Sequence, residues 1–319
     1  LTLKKRRADY SVSMDLGVGS VGSNVATDAA TNILGIGKKY KSFATASFNN
    51  IGINNSPFDY FAYNPNFEQL KESGLLAVKY IPDTYFNTNI DAKRSNVNNA
   101  FFGSYNAVFK IGKRLSIKSN LYYLNDKIRA HQLNVASNNI NGQEFKTSDQ
   151  NTIIKKPTQM RGDLEAKYNI SNKSLLEYAV QYKDERINTK NNVLQNNTNT
   201  FNTSLATKDN YFKQTLTYTT KISERKAIQL LAKHTLSEAP QNISYSPAVF
   251  DPVTYLSNTQ SSGYKKEHLI FMANLLGSRS KGKYMLTTGT DFRNIKFFSD
   301  LTGELNNNTT SVNGFQNKF

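Results

Sequence analysis

The chain contains no cysteine and no tryptophan, only three histidines and seven prolines, and 24 acidic against 40 basic residues in 319. The missing thiols exclude a disulfide scaffold, a thiolate metal site and a cysteine nucleophile together. Without tryptophan, any aromatic anchoring must come from the 18 Tyr and 19 Phe. No run approaches the ~18–20 consecutive apolar residues of a membrane-spanning helix, which excludes a helical membrane protein. A β-barrel is not excluded. Its strands present apolar side chains at every second position only, so hydropathy averaged along the chain stays low.

What is present favours strands. Hydrophobic residues make up 38% of the chain, and the polar remainder is dominated by Asn, Thr and Ser rather than by strong helix formers. The formal charge of +16 admits nucleic acid, an anionic membrane surface or acidic ligands. After Lys4, Lys5, Arg6 and Arg7, however, the basic residues are scattered, with no dense block. That scatter argues against nucleic acid and for solvated charges that line a watery lumen or meet the phosphates of a surface glycolipid. Residues 1–7 lack the charged, apolar and small-residue order of a signal peptide. The reading is that a signal has been removed or that the sequence begins inside a longer protein.

Period-two alternation is the main signal. Leu164, Ala166, Tyr168 and Ile170 share one face of a strand, while Asp163, Glu165, Lys167 and Asn169 share the other. After the turn-forming cluster Ser171–Ser174, Leu176, Tyr178, Val180 and Tyr182 oppose Glu177, Gln181 and Lys183. Similar hairpins are predicted for Phe101–Ile111 with Leu115–Tyr123, for Phe212–Thr219 with Ile228–Leu236, and for Leu269–Leu275 with Tyr284–Phe298. An earlier pair joins Tyr10–Val18 to Tyr40–Phe48 through a long connector, Val21–Lys38. Roughly ten strands result, most near the ~9–11 residues a tilted strand needs to cross a bilayer.

The turns centre near 113, 172, 225 and 280 and so recur about every 50 to 60 residues. Between them lie long polar segments, predicted as loops over roughly 50–99, 134–158, 189–210, 238–266 and from 299 onward. Tight turns alternating with long loops are the asymmetry of outer-membrane barrels, with the turns periplasmic. A soluble sandwich spaces its turns more evenly. The fold class expected is therefore an all-β, antiparallel, up-and-down transmembrane barrel, here a partial one. Phe67, Leu70 and Leu75 suggest a short helix over Asn66–Val78. Tyr10, Tyr40, Phe48, Phe101, Tyr122, Tyr123, Tyr182, Tyr211 and Phe298 are candidates for the aromatic girdles at the two interfaces.

Candidate chemistry is sparse, and no catalytic, cofactor or metal site is expected. His131 and His268 read as loop-boundary residues and His234 as lying on the apolar face of its strand. Gly17, Gly19 and Gly22 lack the following helix of a dinucleotide site. Asp163 and Glu165 stand beside Lys167, which suits charge neutralisation in a wet lumen better than acid–base catalysis. Asp59, Asp83 and Asp91 lack cation-ligand spacing. Asn196–Thr198 is an acceptor triplet with meaning only in a eukaryotic secretory route. Phe319 ends the chain, but Asn313 and Asn317 hold positions where a terminal barrel strand wants apolar side chains.

The stretch Lys41–Gly52, above all Asn49–Gly52, resembles a strand-to-loop signature of TonB-dependent receptors with a carboxypeptidase-regulatory-like domain. Leu1–Lys5 resembles the passage from plug to first barrel strand, and Ser119–Arg129 a later strand. The resemblance implies a receptor importing an iron chelate, glycan or peptide, and no enzyme. It also implies outer-membrane lipid, surface glycolipid, a TonB-type energy-coupling protein and a surface lipoprotein as partners. Such receptors close about 22 strands around a plug. Residues 1–319 then form the N-terminal part of a barrel, with plug and signal peptide absent. The rival readings are a self-closed small barrel serving as adhesin or anchor, and a soluble β-rich surface protein.

Overall fold

The computed structural model describes residues 8–21, 24–58, 60, 76–86, 97–279, 282–305 and 316–318, and all regular structure among them is β. The strands are β1 (Ala8–Val21), β2 (Asn24–Gly37), β3 (Tyr40–Asn49), β4 (Ala100–Ile111), β5 (Leu115–Asn125), β6 (Ile128–Ile140) and β7 (Gln143–Asn169). They continue as β8 (Ser174–Gln195), β9 (Asn199–Ser223), β10 (Lys226–Ser246), β11 (Tyr255–Arg279), β12 (Gly282–Leu305) and the short β13 (Gln316–Lys318). All belong to one antiparallel up-and-down sheet in sequence order, except that β6 pairs only with β7, outside the main path. Among the described residues no ladder joins β1 to β12.

The four hairpins read from alternation form in register. Ala166 faces Tyr178 and Leu164 faces Val180, Leu216 faces Ala232, Phe109 faces Ile117, and Leu275 faces Leu286. Gly112 closes the β4–β5 turn at φ +67°, a conformation open to glycine without a Cβ penalty. The expected pairing of Tyr10–Val18 with Tyr40–Phe48 is corrected. The connector Val21–Lys38 is mostly strand β2, which pairs with both. Its residues Ala26, Ala29, Ala30, Thr27 and Thr31 carry too little apolar bulk to show an alternation.

The long polar loops are corrected as well, and with them the count of ten strands. Residues 134–158, 189–210 and 238–266 are largely strand, so that β7 to β12 run for 21 to 27 residues each. They are joined by tight connections such as Asn141–Gly142 and Asn196–Thr198, where Asn141, Asn196, Asn197 and Gly142 all have positive φ. Of the predicted loops, 50–99 does join two strands as a long connection, whereas 299–305 belong to β12. The helix expected over Asn66–Val78 falls largely outside the described residues, and 76–78 are not helical. Leu1–Arg7, Gly22, Asp59, Asp91, Asn313 and Phe319 also lie outside them.

Burial is inverted relative to a soluble protein. Tyr178, Leu216 and Phe271 are 37%, 43% and 44% exposed, whereas Lys155 is 1% exposed and Thr235 and Ser237 are 0% exposed. Register places Leu164, Tyr178, Leu216, Leu230 and Phe271 together on the outer face, one or two rows apart. Water would penalise that arrangement and hydrocarbon rewards it, at about 25 cal/mol per Å² of apolar surface withdrawn from water. The outer face is thus the lipid face of an outer-membrane β-sheet wall, and the inner face is polar.

Candidate functional site

The inner face is crossed by the chain itself. Between β3 and β4 the 50–99 connection leaves the sheet at a neck built from three asparagines. Asn98 Oδ1 accepts from Gly52 N at 2.8 Å, and Asn98 Nδ2 donates to Asn49 Oδ1 at 3.0 Å and to Ile53 O at 3.2 Å. Asn50 reaches sideways, its Oδ1 accepting from Thr27 N at 2.7 Å and its Nδ2 donating to Val25 O at 2.8 Å. Gly52 adopts φ +77°, so the chain turns inward at a position where a side chain would be strained.

Beyond the neck, residues 76–86 lie as a strap across the far strands. Ala77 N donates to Ser237 Oγ on β10 at 3.0 Å. Gln241, also on β10, grips the strap backbone. Its Oε1 accepts from Tyr80 N and Ile81 N at 2.7 and 2.9 Å, and its Nε2 donates to Ile81 O at 2.7 Å. The Tyr80 ring stands edge-on to Tyr264 of β11 and Phe297 of β12, with centroids 5.7 and 4.9 Å apart. On the other side Lys155 of β7 donates to Thr84 O at 3.1 Å and sits 4.8 Å from the centroid of the Tyr85 ring. Phe86 joins Ile128, Ala130 and Ile153 in a small apolar cluster, with Tyr60 packed against it.

Under the strap lies a charge network. Lys79 Nζ pairs with Asp83 at 3.3 Å and with Glu185 of β8 at 3.0 Å. Lys183 Nζ pairs with the same Glu185 at 3.1 Å and with Asp209 of β9 at 2.8 Å. The Tyr60 hydroxyl lies 2.5 Å from Gln159 Oε1 and 2.9 Å from Glu185 Oε2. Burial pushes the Tyr60 phenol well above its usual range, and the Glu185 charge pushes it further, so it remains a proton donor. Burial alone would depress the Lys79 ammonium. The carboxylates of Glu185, Asp83 and Asp209 outweigh it and hold Lys79 above the ordinary lysine value. Three carboxylates face two ammonium groups, and Asp83 Oδ1 and Asp209 Oδ1 are buried without a hydrogen-bond partner.

The residues singled out in the sequence fall as follows. Asp163 and Glu165 are neutralised on the inner face, by Arg161 at 3.2 Å and Lys118 at 3.6 Å, and Lys167 pairs with Glu177 at 2.6 Å. Asp83 belongs to Lys79 rather than to a cation site. His234 does lie on the outer face, between Gln214 and Glu267. His131 and His268 are not loop-boundary residues. His131 lies within β6, and His268 is buried on the inner face of β11 against Asp291. Of the expected girdle, Tyr10, Phe48, Phe101, Tyr123, Tyr182 and Phe298 are exposed on the outer face. Tyr122 and Tyr211 are corrected, since both point inward. Tyr122 packs edge-on to Phe58, and Tyr211 is buried. Gln241, Ser237, Lys79 and Glu185 carry no signal in the sequence, because the contacts that tie strap to wall join residues more than a hundred positions apart.

No protein-family model matches the chain, and no curated protein matches it. Among solved structures it is similar to the toluene transporter TbuX of Ralstonia pickettii, at 8% identity and a TM-score of 0.28, over 94% of this chain and 88% of that one. The monoaromatic hydrocarbon channel CymD matches at 8% identity and 0.27, over 94% and 87%. The toluene transporter TodX of Pseudomonas putida matches at 8% and 0.26, over 92% and 86%. Likeness at this level assigns no cargo to the chain. The comparisons nevertheless correct the resemblance to TonB-dependent receptors, and the receptor role with it, because these structures are hydrocarbon transporters and channels. They do not favour an adhesin or anchor either. Asn49, Asn50 and Gly52, which carried the resemblance, have a local explanation as the neck of the internal strap.

Proposed function

We propose that the chain forms the wall of a water-filled passage through the outer membrane for small polar solutes, narrowed by the 76–86 strap. One observation carries this reading. The face turned away from lipid is lined by charged and amide side chains, and a segment of the same chain lies across it, held by Gln241, Ser237, Lys155 and Glu185. A wall that served only as an anchor needs no strap inside it. The work is passage rather than bond-making chemistry, and the fixed network would select solutes by size and charge.

The chain has no native cysteine, so Ala77→Cys with Ser237→Cys can tie the strap to the wall on a clean background. The purified protein in planar bilayers is expected to conduct ions, and small sugars should swell liposomes that contain it. Oxidising the cysteine pair should hold the low-conductance state, and reduction should reverse this. Conductance indifferent to the cross-link, or permeability to toluene without permeability to sugars, would overturn the reading.

A further inference from the structure

Cross-strand register brings together, on the outer face just beyond the apolar band, a cluster of cations that the passage does not use. Along β8 the outward positions run Leu176, Tyr178, Val180 and Tyr182, then change to Asp184, Arg186, Asn188 and Lys190. From Ser174, Tyr182 lies at about the ~9–11 residues that cross a bilayer, so Arg186 and Lys190 fall at the far headgroup level. β7 and β9 change at the same height. Lys156 is the outward residue opposite Asn188, which sets it diagonal to Arg186 and Lys190, roughly 7–8 Å away by sheet geometry. Lys208 of β9 stands directly opposite Arg186.

Like charges placed opposite one another in a ladder repel, and little within the protein offsets them here. The one carboxylate among these outward positions is Asp184, which meets Arg186 at 3.0 Å. Lys208 Nζ meets the Asn210 amide at 2.8 Å, once that amide is turned so that its nitrogen donates to Asp184. The adjacent Glu238 is taken by Lys265 at 2.6 Å. Lys156, Arg186 and Lys190 are exposed, whereas their inward neighbours Lys155, Ile187 and Thr189 are buried.

We propose that Lys156, Arg186, Lys190 and Lys208 form a binding patch for the phosphates of an outer-leaflet glycolipid, whose acyl chains lie along the apolar band below. The patch is at the end where the strands run on past the apolar band and where the long 50–99 connection leaves the sheet, opposite the turns near 112, 172 and 224, and in an outer-membrane barrel the longer connections are external. Four cations spread over two ladders suit a headgroup with two phosphates better than a singly charged phospholipid. Arg186 supplies the planar donor fork that matches a phosphate, and the lysines act as point charges. The proposal rests on the membrane reading above but not on the strap.

The test uses the full chain in detergent micelles, titrated with a bisphosphorylated diglucosamine lipid and followed by native mass spectrometry. Heat-modifiable gel migration monitors folding separately. The folded chain should retain the glycolipid, and the same lipid stripped of its phosphates should be retained at least about tenfold less. Retention should fall with added salt. K156Q/R186Q/K190Q/K208Q should lose it. K156R/K190R/K208R should keep it, which covers the case in which the glutamine variant fails to fold. Equal retention of the dephosphorylated lipid or of phosphatidylglycerol, displacement by inorganic phosphate at matched concentration, or full retention by the folded glutamine variant would overturn the patch. Failure to enter membranes at all would instead overturn the wall itself.

Discussion

At the scale of single residues, the decisive contrast is between side chains that tolerate lipid and those that tolerate burial only with partners. Tyr178 and Leu216 face outward and lie opposite one another on β8 and β9. Tyr178→Lys or Leu216→Lys is expected to cost roughly 2–4 kcal/mol of folding free energy in lipid vesicles, read from denaturant titration. An unchanged midpoint would mean that these positions do not face hydrocarbon. Glu185 joins two lysines and Tyr60 in one buried network, so Glu185→Ala leaves Lys79 and Lys183 short of a partner. The loss is expected to be about 3 kcal/mol, and larger than that of Asp83→Ala, because Asp83 serves only Lys79. Lys79 also sets the direction of any pH response. Its folded value is raised above 10.5, so its contribution is fully present below that value and is lost as pH rises through the folded one. Strap release, followed as accessibility of a cysteine placed at Ala77, should begin only in the alkaline range, and release at neutral pH would contradict the assignment. The neutralisation of Asp163, Glu165 and Lys167 is legible in the sequence because alternation puts them on one polar face, with Arg161 two residues from Asp163 and Glu177 across the hairpin from Lys167, although the Lys118 partner of Glu165 comes from β5. The Lys79–Glu185 pair is not, because no short spacing announces a contact made across the inner face.

At the scale of elements, the legible strands are those with lipid on one side and water on the other. β7 and β8 alternate cleanly near their shared turn, where the two faces meet two different media. Higher up, as in Thr189–Gln195 and Thr200–Lys208, both faces meet water or polar groups. The period-two contrast fades there, and composition alone suggests a loop. β2 is hidden for another reason, since Thr27, Ala29 and Thr31 leave the middle of its apolar face, between Val25 and Ile33, without bulk. The connection at 50–99 was legible as a long segment, but its inward course depends on the neck. Asn98→Ala removes one acceptor and two donors from a buried site and should cost roughly 1–3 kcal/mol. Limited proteolysis should then cut within 53–97 at protease levels that leave the parent intact. A parent and variant digested alike would show that Asn98 does not hold the neck. Gly112→Ala is expected to be milder, about 1–2 kcal/mol for a left-handed alanine, with no change in strap accessibility.

At the scale of the whole molecule, a lipid-facing band, a polar inner wall and strands far longer than a bilayer requires are properties of one curved sheet. Hydrogen exchange should distinguish this architecture from one of floppy external loops. Amides in residues 188–194 and 202–207 are expected to exchange more slowly than those in 53–58, because they are paired in ladders on both sides. Fast exchange there would restore the loops that composition suggested. The strands also set how the protein meets its surroundings. At ~3.3 Å per residue, the 27 residues of β7 span close to 90 Å of chain, of which the hydrocarbon takes about a third. The remainder stands above the cell surface as a stiff palisade, tipped by bends of two or three residues at Asn141–Gly142 and Asn196–Thr198. Whatever approaches from outside, whether solute, antibody or neighbouring cell, meets that fence before it meets the membrane.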